Sequence, residues 1–153
     1  MADYIFKIAG SAKEPYEVSV TLSPLVVTCS CPAAAFGSVC KHRTQLLLGK
    51  NPGITDGDVS VLPAIAQGAA AAGFPPLFKR YEAVKADRAD STKKLENLFK
   101  GYKEERLRRY LGELKTERQV EKARDILESA IDEAGPIEAE FQGALAELRK
   151  ILI

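Results

Sequence analysis

Residues that carry metal and redox chemistry are scarce in this chain: its 153 residues include three cysteines, one histidine, one methionine and no tryptophan. Three cysteines leave one thiol unpaired in any intramolecular disulfide scheme, which argues against a secreted disulfide scaffold. No apolar run approaches the ~20 residues that a membrane helix requires, and the N-terminus lacks the features of a secretory signal. We therefore expect no membrane span and no membrane partner. The expected location is cytoplasmic, or nuclear if the source is eukaryotic.

The net charge of +1 conceals an asymmetry along the chain. Residues 1–78 contain five basic and five acidic residues, residues 79–124 contain fifteen basic and nine acidic residues, and residues 125–153 contain two basic and seven acidic residues. The middle of the chain is therefore basic and its end is acidic. Such an asymmetry indicates either an anionic partner for the basic segment or an acidic helix that packs against a basic one. The sequence leaves both interpretations open.

Residues 1–49 predict a small module of three strands and one helix. Residues 4–9 and 15–22 alternate between apolar and polar side chains, which is typical of half-buried strands joined as a hairpin. A third β-prone run covers residues 25–28. A short apolar helix then follows and ends near Gly49, because glycine commonly terminates helices.

The remainder of the chain predicts a connector and a helical region. Residues 50–76 are rich in Gly, Pro and Ala and predict a connector with one short helix around residues 63–72. In residues 77–153, apolar residues recur at three- and four-residue steps, which predicts a helical hairpin or bundle. Three local signals divide this region: a helix start at Asp90 or Ser91, a capping box of Thr116 with Gln119, and a break between helices at Gly135–Pro136. The predicted fold class is α+β, with a β-β-β-α N-terminal module followed by an all-α hairpin or bundle.

All three cysteines and the histidine form one pattern, Cys-x-Cys-x8-Cys-x-His, which comprises Cys29, Cys31, Cys40 and His42. Structural zinc prefers four tetrahedral ligands drawn from thiolate sulfur and imidazole nitrogen, so this set predicts one structural Zn²⁺ that stabilises the N-terminal module. One alternative is a group of small buried cysteines without a metal. Another is a redox or nucleophilic site, but the sequence lacks a Cys-x-x-Cys spacing and any evident orienting group.

This pattern, preceded by strands and followed by a short helix, resembles the SWIM zinc finger of Mutator-type transposases, Swi/Snf-type ATPases and some ubiquitin-pathway proteins. The resemblance implies the same four metal ligands, and Gly37 matches a glycine that is common three residues before the third ligand. Phe36 and Val39 depart from the family, in which many members have a tryptophan earlier in the loop and a proline before the third cysteine. The resemblance covers residues 4–49 and implies binding to DNA or to proteins. It does not extend to residues 77–153.

No catalytic motif is evident, and we expect that the protein is not an enzyme. Gly49–Lys50 lacks both the earlier glycine and the following hydroxyl of a phosphate-binding loop. The acidic residues form no patterned cluster and are typical of solvated helix faces.

Three functions are consistent with these features. The first is a nucleic-acid-binding accessory protein, for DNA rather than RNA, whose candidate phosphate contacts are Lys41, Arg43, Lys79, Arg80, Lys93, Lys94, Lys100, Lys103, Arg106, Arg108 and Arg109. A pI near 7.7 supports it only weakly, and the same charges can instead pair along a solvated helix. The second is an adaptor or inhibitor, of phage or mobile-element origin, that binds a larger nucleic-acid-processing complex. The third is a homodimer formed through the apolar stripe of residues 95–114.

Overall fold

Two packed units make up the computed structural model of this protein, which describes residues 3–110 and 117–152. The first unit comprises the chain up to Arg80 together with the residues from Ala144 onward, and the second comprises Tyr81–Gly143. A four-stranded sheet and short helices form the first unit, whereas the second is helical. The predicted α+β class is therefore confirmed.

The sheet of the first unit is antiparallel, and its strands are β1 (Asp3–Ile8), β2 (Tyr16–Leu22), β3 (Leu25–Cys29) and β4 (Ile54–Asp56). Their spatial order is β3-β2-β1-β4. The period-two alternation of the sequence places every second side chain on one face, where Phe6, Val18 and Val27 are buried. The three strands predicted from the sequence are confirmed.

The first unit also contains three short helices, of which α2 and α3 contribute buried side chains to its core. α1 (Pro32–Ala35) begins with a proline, whose missing N–H costs nothing at the first helical position. α2 (Lys41–Leu47) is the predicted helix after the cysteine cluster, and it buries Leu46 and Leu47. α3 (Leu62–Ala71) buries Ile65 and Ala69 and covers most of the predicted short helix at residues 63–72.

β4 lies within residues 50–76, for which the sequence predicts no strand. It pairs with β1, with Ile54 opposite Ile8, and a 3-10 helix (Val59–Val61) connects it to α3. A strand of three residues is too short for a period-two pattern to be recognised. Its position is set by pairing with a distant strand, which the local sequence does not encode.

The C-terminal residues extend the sheet beyond β3. The backbone N–H of Val27 donates a hydrogen bond to the carbonyl oxygen of Ile151 at 3.0 Å, and Val27 forms a parallel bridge with Leu152. Leu148 and Leu152 are buried. β3 is therefore covered on the side opposite β2 by the end of the chain.

Two long helices, α4 (Phe74–Tyr110) and α5 (Glu117–Arg149), supply residues 81–110 and 117–143 of the second unit. Apolar or small residues recur along each helix at alternating steps of three and four, as in a heptad seam. The seam residues with buried or half-buried side chains are Tyr81, Val84, Leu95, Leu98 and Tyr102 on α4, and Val120, Ala123, Leu127, Ala130, Ala134, Ile137 and Phe141 on α5. Arg88 pairs with Glu138 and Lys94 with Glu133, so the two helices run antiparallel. The predicted helical hairpin or bundle is confirmed as a class, but the paired helices are α4 and α5 and not two helices on either side of Gly135–Pro136.

The helix start predicted at Asp90 or Ser91 is wrong, because α4 continues through both residues. Arg88 and Ser91 occupy seam positions that apolar residues would usually fill. The guanidinium of Arg88 lies over the ring of Phe141, 4.5 Å from its centroid, so this polar interruption is accommodated without a break. The capping box predicted at Thr116 lies outside the described residues.

The helix break predicted at Gly135–Pro136 is also wrong, since both residues lie inside α5. A proline within a helix removes the hydrogen bond to the carbonyl of residue i−4, here Asp132. Pro136 and Asp132 are both exposed, so water can satisfy that carbonyl. Ala134 and Ile137 continue the seam on either side of the proline, and packing of this seam offsets the local cost.

No single helix in the described ranges is both long and apolar enough to cross a membrane. Only the consecutive segments Val59–Ala71 and Phe74–Arg108, taken together across the bend between them, reach that length and apolarity. In the structure, Leu62, Ile65 and Phe74 of these segments are buried in the core.

Candidate metal centre

Four side chains from three consecutive elements converge at one end of the sheet. Cys29 ends β3, Cys31 precedes α1, Cys40 precedes α2, and His42 lies in the first turn of α2. One potential ligand atom from each residue lies within 4.8 Å of all the others. The structure therefore brings together the four ligands predicted from the sequence.

The geometry of this cluster fits a tetrahedral zinc ion. Bonds of about 2.3 Å to sulfur and 2.0 Å to nitrogen place tetrahedral ligand atoms about 3.5–3.8 Å apart. The Sγ atom of Cys29 lies 3.8 Å from Nδ1 of His42. Nε2 of His42 is buried and has no hydrogen-bond partner among the described residues, which is uncommon for a buried polar atom. Neither ring nitrogen is thus committed to a strong hydrogen bond, and the imidazole can ligate a metal.

The thiols also influence one another's protonation. A hydrogen bond with Cys29, helped by the backbone N–H and the positive charge of Arg43, lowers the pKa of Cys40 to about 4 against the opposing effect of burial. The same hydrogen bond, together with burial, raises the pKa of Cys29 above its ordinary range. This hydrogen bond therefore favours the thiolate form of Cys40 over that of Cys29, and zinc binding, which requires deprotonated cysteines, is coupled to proton release.

The loop between the two ligand pairs, residues 32–39, is fixed by two arginines. The Arg43 guanidinium donates a hydrogen bond to the carbonyl oxygen of Ser38 at 2.7 Å, and Nε of Arg149 donates to the carbonyl oxygen of Gly37 at 3.2 Å. Gly37 has a φ of 67°, in the left-handed region that favours glycine, and this reverses the chain toward the second ligand pair. The loop is thus held both by its ligands and by hydrogen bonds from outside it.

Arg43 differs from its predicted role as a nucleic-acid contact. Its side chain is only 2% exposed, and it is packed beside Cys40 and Ser38. Lys41, by contrast, is exposed at the start of α2. Of the two predicted contacts beside the cysteine cluster, only Lys41 lies at the surface.

Two residues near the centre are not identified by the sequence pattern. The ring of Tyr16 lies against His42, with centroids 5.3 Å apart, and Arg149 reaches Gly37 from the C-terminal end of α5. Tyr16 shares a strand face with Val18, and this alternation is a signal that would place it toward the core. The contact of Arg149 has no signal in the local sequence.

Two predicted basic contacts form ion pairs with acidic residues of α5. Arg80 lies 3.6 Å from Glu147, and Lys94 lies 2.8 Å from Glu133. Arg108 instead pairs along α4, at 3.8 Å from Glu105. These pairs support the interpretation in which the acidic helix packs against the basic one.

Six of the predicted nucleic-acid contacts are exposed without an ion pair to any described residue. These are Lys79, Lys93, Lys100, Lys103 and Arg106 on α4, together with Lys41. The side chain of Arg109 lies outside the described residues. The basic residues of α4 that have no ion pair to a described residue therefore lie mainly in the C-terminal half of that helix.

The metal centre is zinc-finger-like in its ligand set, spacing and geometry, and the SWIM resemblance stays a prediction. No protein-family model, curated protein or solved structure matches this chain.

Proposed function

We propose that this protein is a non-enzymatic, SWIM-type zinc-finger accessory protein that binds nucleic acid, with DNA preferred over RNA, in the cytoplasm or nucleus. The observation that carries this proposal is the set of exposed cations on α4 that have no acidic partner among the described residues. Such cations bind phosphates by releasing condensed counterions. Lys93, Lys100 and Lys103 are the central members of this set.

In this proposal the zinc ion is structural. Cys29, Cys31, Cys40 and His42 supply four protein ligands, so no position is left for a catalytic water. The first unit has a small core, and one bound zinc adds folding free energy to it. Lys41, which adjoins His42 in the chain, is held at the surface by this arrangement.

Binding of a fluorescent DNA oligonucleotide by the zinc-loaded full chain tests the proposal. Affinity should fall more than about tenfold between about 50 mM and 200 mM salt, because each neutralised phosphate contributes about −0.9 to the logarithmic slope. A Lys93→Gln, Lys100→Gln double variant should bind more weakly and with a shallower slope. Lys85→Gln is the matched control, since Lys85 already lies 3.4 Å from Glu82. Salt-independent binding, or no binding, would contradict the proposal.

A protein-interaction adaptor or inhibitor is the second candidate, and one exposed aromatic residue favours it. Phe36 is 85% exposed at the tip of the loop that Arg43 and Arg149 fix. A rigidly presented aromatic side chain is the kind of residue that anchors protein interfaces. Capture of one protein partner after nuclease treatment, and its loss in Phe36→Ala, would favour this candidate over nucleic-acid binding.

A homodimer through residues 95–114 is compatible with either function. Phe99, Leu107 and Tyr110 of this stripe are exposed, and residues 111–114 lie outside the described part of the chain. Native mass spectrometry of the purified chain tests it, because a dimer mass that persists on dilution is expected only for a specific interface.

A further inference from the structure

One face of α4 carries two basic side chains with an aromatic side chain on either side of them. Phe99, Lys103, Arg106 and Tyr110, here called the aromatic–basic stripe, are spaced at steps of four, three and four residues, which aligns them along the helix. All four side chains are exposed, and Tyr110 is 87% exposed. An aromatic side chain this exposed contributes little to folding. Its position at the surface is therefore informative about binding rather than about stability.

The cations of the stripe lie next to aromatic rings. Nζ of Lys103 is 4.4 Å from the centroid of Phe99, and the guanidinium of Arg106 is 5.9 Å from the centroid of Tyr102. Lys103 and Phe99 therefore present a positive charge and an exposed ring together at one surface. This is the combination that contacts a phosphate and its neighbouring base at the same time.

Acidic residues of the same helical turns point elsewhere. At about 100° per residue, Glu104 and Glu105 lie about 120–140° around the helix from the stripe. Glu105 is half-buried and lies 3.8 Å from Arg108. The stripe itself therefore contains two cations and no acid, and its charge is complementary to a phosphate backbone.

We propose that the aromatic–basic stripe binds single-stranded nucleic acid, with bases stacked on Phe99 and Tyr110 and phosphates paired with Lys103 and Arg106. This inference rests on the nucleic-acid-binding function proposed above and names its ligand class. Phe99 and Tyr110 are eleven positions apart on the helix, or about 16 Å, which matches about five steps between stacked nucleotides at about 3.4 Å each.

The exposed rings distinguish a single strand from a duplex. In a duplex the bases are paired and stacked on each other, so their faces are not accessible to Phe99 and Tyr110, whereas the phosphates are accessible to Lys103 and Arg106. In a single strand each base has a free face, and stacking on an aromatic side chain is tolerant of sequence. The rings therefore contribute to binding of a single strand and add little to binding of a duplex.

The experiment compares a mixed-sequence 20-nucleotide DNA strand with its duplex by fluorescence anisotropy, using the zinc-loaded full chain. The Phe99→Ala, Tyr110→Ala double variant should weaken single-strand binding by about tenfold or more and duplex binding by less than about twofold. The Lys103→Gln, Arg106→Gln double variant should weaken both. Tyr110→Phe, which keeps the ring, and Lys85→Gln, outside the stripe, should bind as the unaltered chain does.

Each alternative result has a defined meaning. Failure to bind either DNA form would overturn both this inference and the proposed function. Equal binding of the two forms, unaffected by loss of the rings, would overturn this inference alone. Conversion of a dimer to a monomer by the ring substitutions, with unchanged single-strand affinity, would assign the stripe to self-association and also overturn it. Circular dichroism and zinc content of each variant verify that the exposed substitutions leave the fold intact.

Discussion

Arg149, the last residue of α5, donates a hydrogen bond from Nε to the backbone carbonyl oxygen of Gly37, which lies 112 residues earlier in the chain. Gly37 belongs to the loop between the two pairs of metal ligands. The C-terminal end of the chain therefore contributes directly to the conformation of the loop between the predicted metal ligands. Together with the pairing of Val27 and Ile151, this contact makes the C-terminus part of the first unit.

Loss of the Arg149 side chain should weaken zinc binding. Arg149→Ala removes an exposed hydrogen bond of about 1 kcal/mol and loosens the loop that positions Cys40, so zinc affinity should fall several-fold in competition with a chromogenic chelator. Lys150→Ala removes an adjacent exposed positive charge and serves as the control. Equal affinities for the two variants would indicate that Arg149 has no role in the metal site.

Truncation of a buried side chain near the C-terminus should destabilise the first unit. Leu148 is fully buried, and Leu148→Ala should lower the free energy of unfolding by about 2–5 kcal/mol. Leu145→Ala, at a half-buried position, should cost less. Urea denaturation of both variants measures the difference. A Leu148→Ala variant as stable as the unaltered chain would contradict the packing described above.

The antiparallel hairpin can be tested by exchanging charges. Lys94 and Glu133 lie 2.8 Å apart and are both more than half exposed, so their pair is worth only a few tenths of a kcal/mol. Lys94→Glu and Glu133→Lys should each destabilise the chain slightly by placing like charges together. The double variant should recover most of the loss, and thermal denaturation of all four chains gives the coupling. Additive effects without recovery would argue against this helix pairing.

Replacement of Pro136 should stabilise α5. Pro136→Ala restores the N–H that completes a hydrogen bond to Asp132 and removes a ring from a helix interior, where proline costs up to about 3 kcal/mol relative to alanine. The expected gain is about 1–3 kcal/mol in the free energy of unfolding. An exposed Gln142→Ala substitution on the same helix is a suitable comparison. Destabilisation by Pro136→Ala would show that the proline stabilises α5 at this position.

Local patterns in the sequence predict the strands, α2 and the metal ligands, because each depends on spacing within a few residues. Val18 and Val20 alternate with polar residues and are buried, and Cys29 and His42 converge as their spacing indicates. These features are encoded over short distances. They can therefore be identified before any tertiary contact is known.

Features that depend on distant contacts could not be predicted in this way. β4 is ordered by pairing with β1, and the contact of Ile151 with Val27 joins opposite ends of the chain. Pro136 is a strong local signal for a helix break, but the heptad seam on both sides of it prevails. In each case a tertiary interaction determines the structure, and the local sequence does not indicate that interaction.

Arg43, which is buried beside the predicted metal ligands, is another residue whose environment the local sequence could not predict. Its sequence neighbours Lys41 and His42 suggest an exposed basic turn, but α2 directs the Arg43 guanidinium inward to Ser38. The helical period of α2 separates Lys41 from Arg43 by about 200°. The two basic residues therefore have different environments, and only the position of the core distinguishes them.

Native mass spectrometry of the purified full chain, before and after treatment with a chelator, tests the central claim most directly. The structure predicts one zinc ion per chain, held by Cys29, Cys31, Cys40 and His42, whose removal unfolds the first unit. Cys40→Ser should lose the ion, whereas Lys41→Gln should keep it. A chain that carries no metal, or one whose Cys40→Ser variant retains zinc with unchanged affinity, would contradict the assignment of this centre.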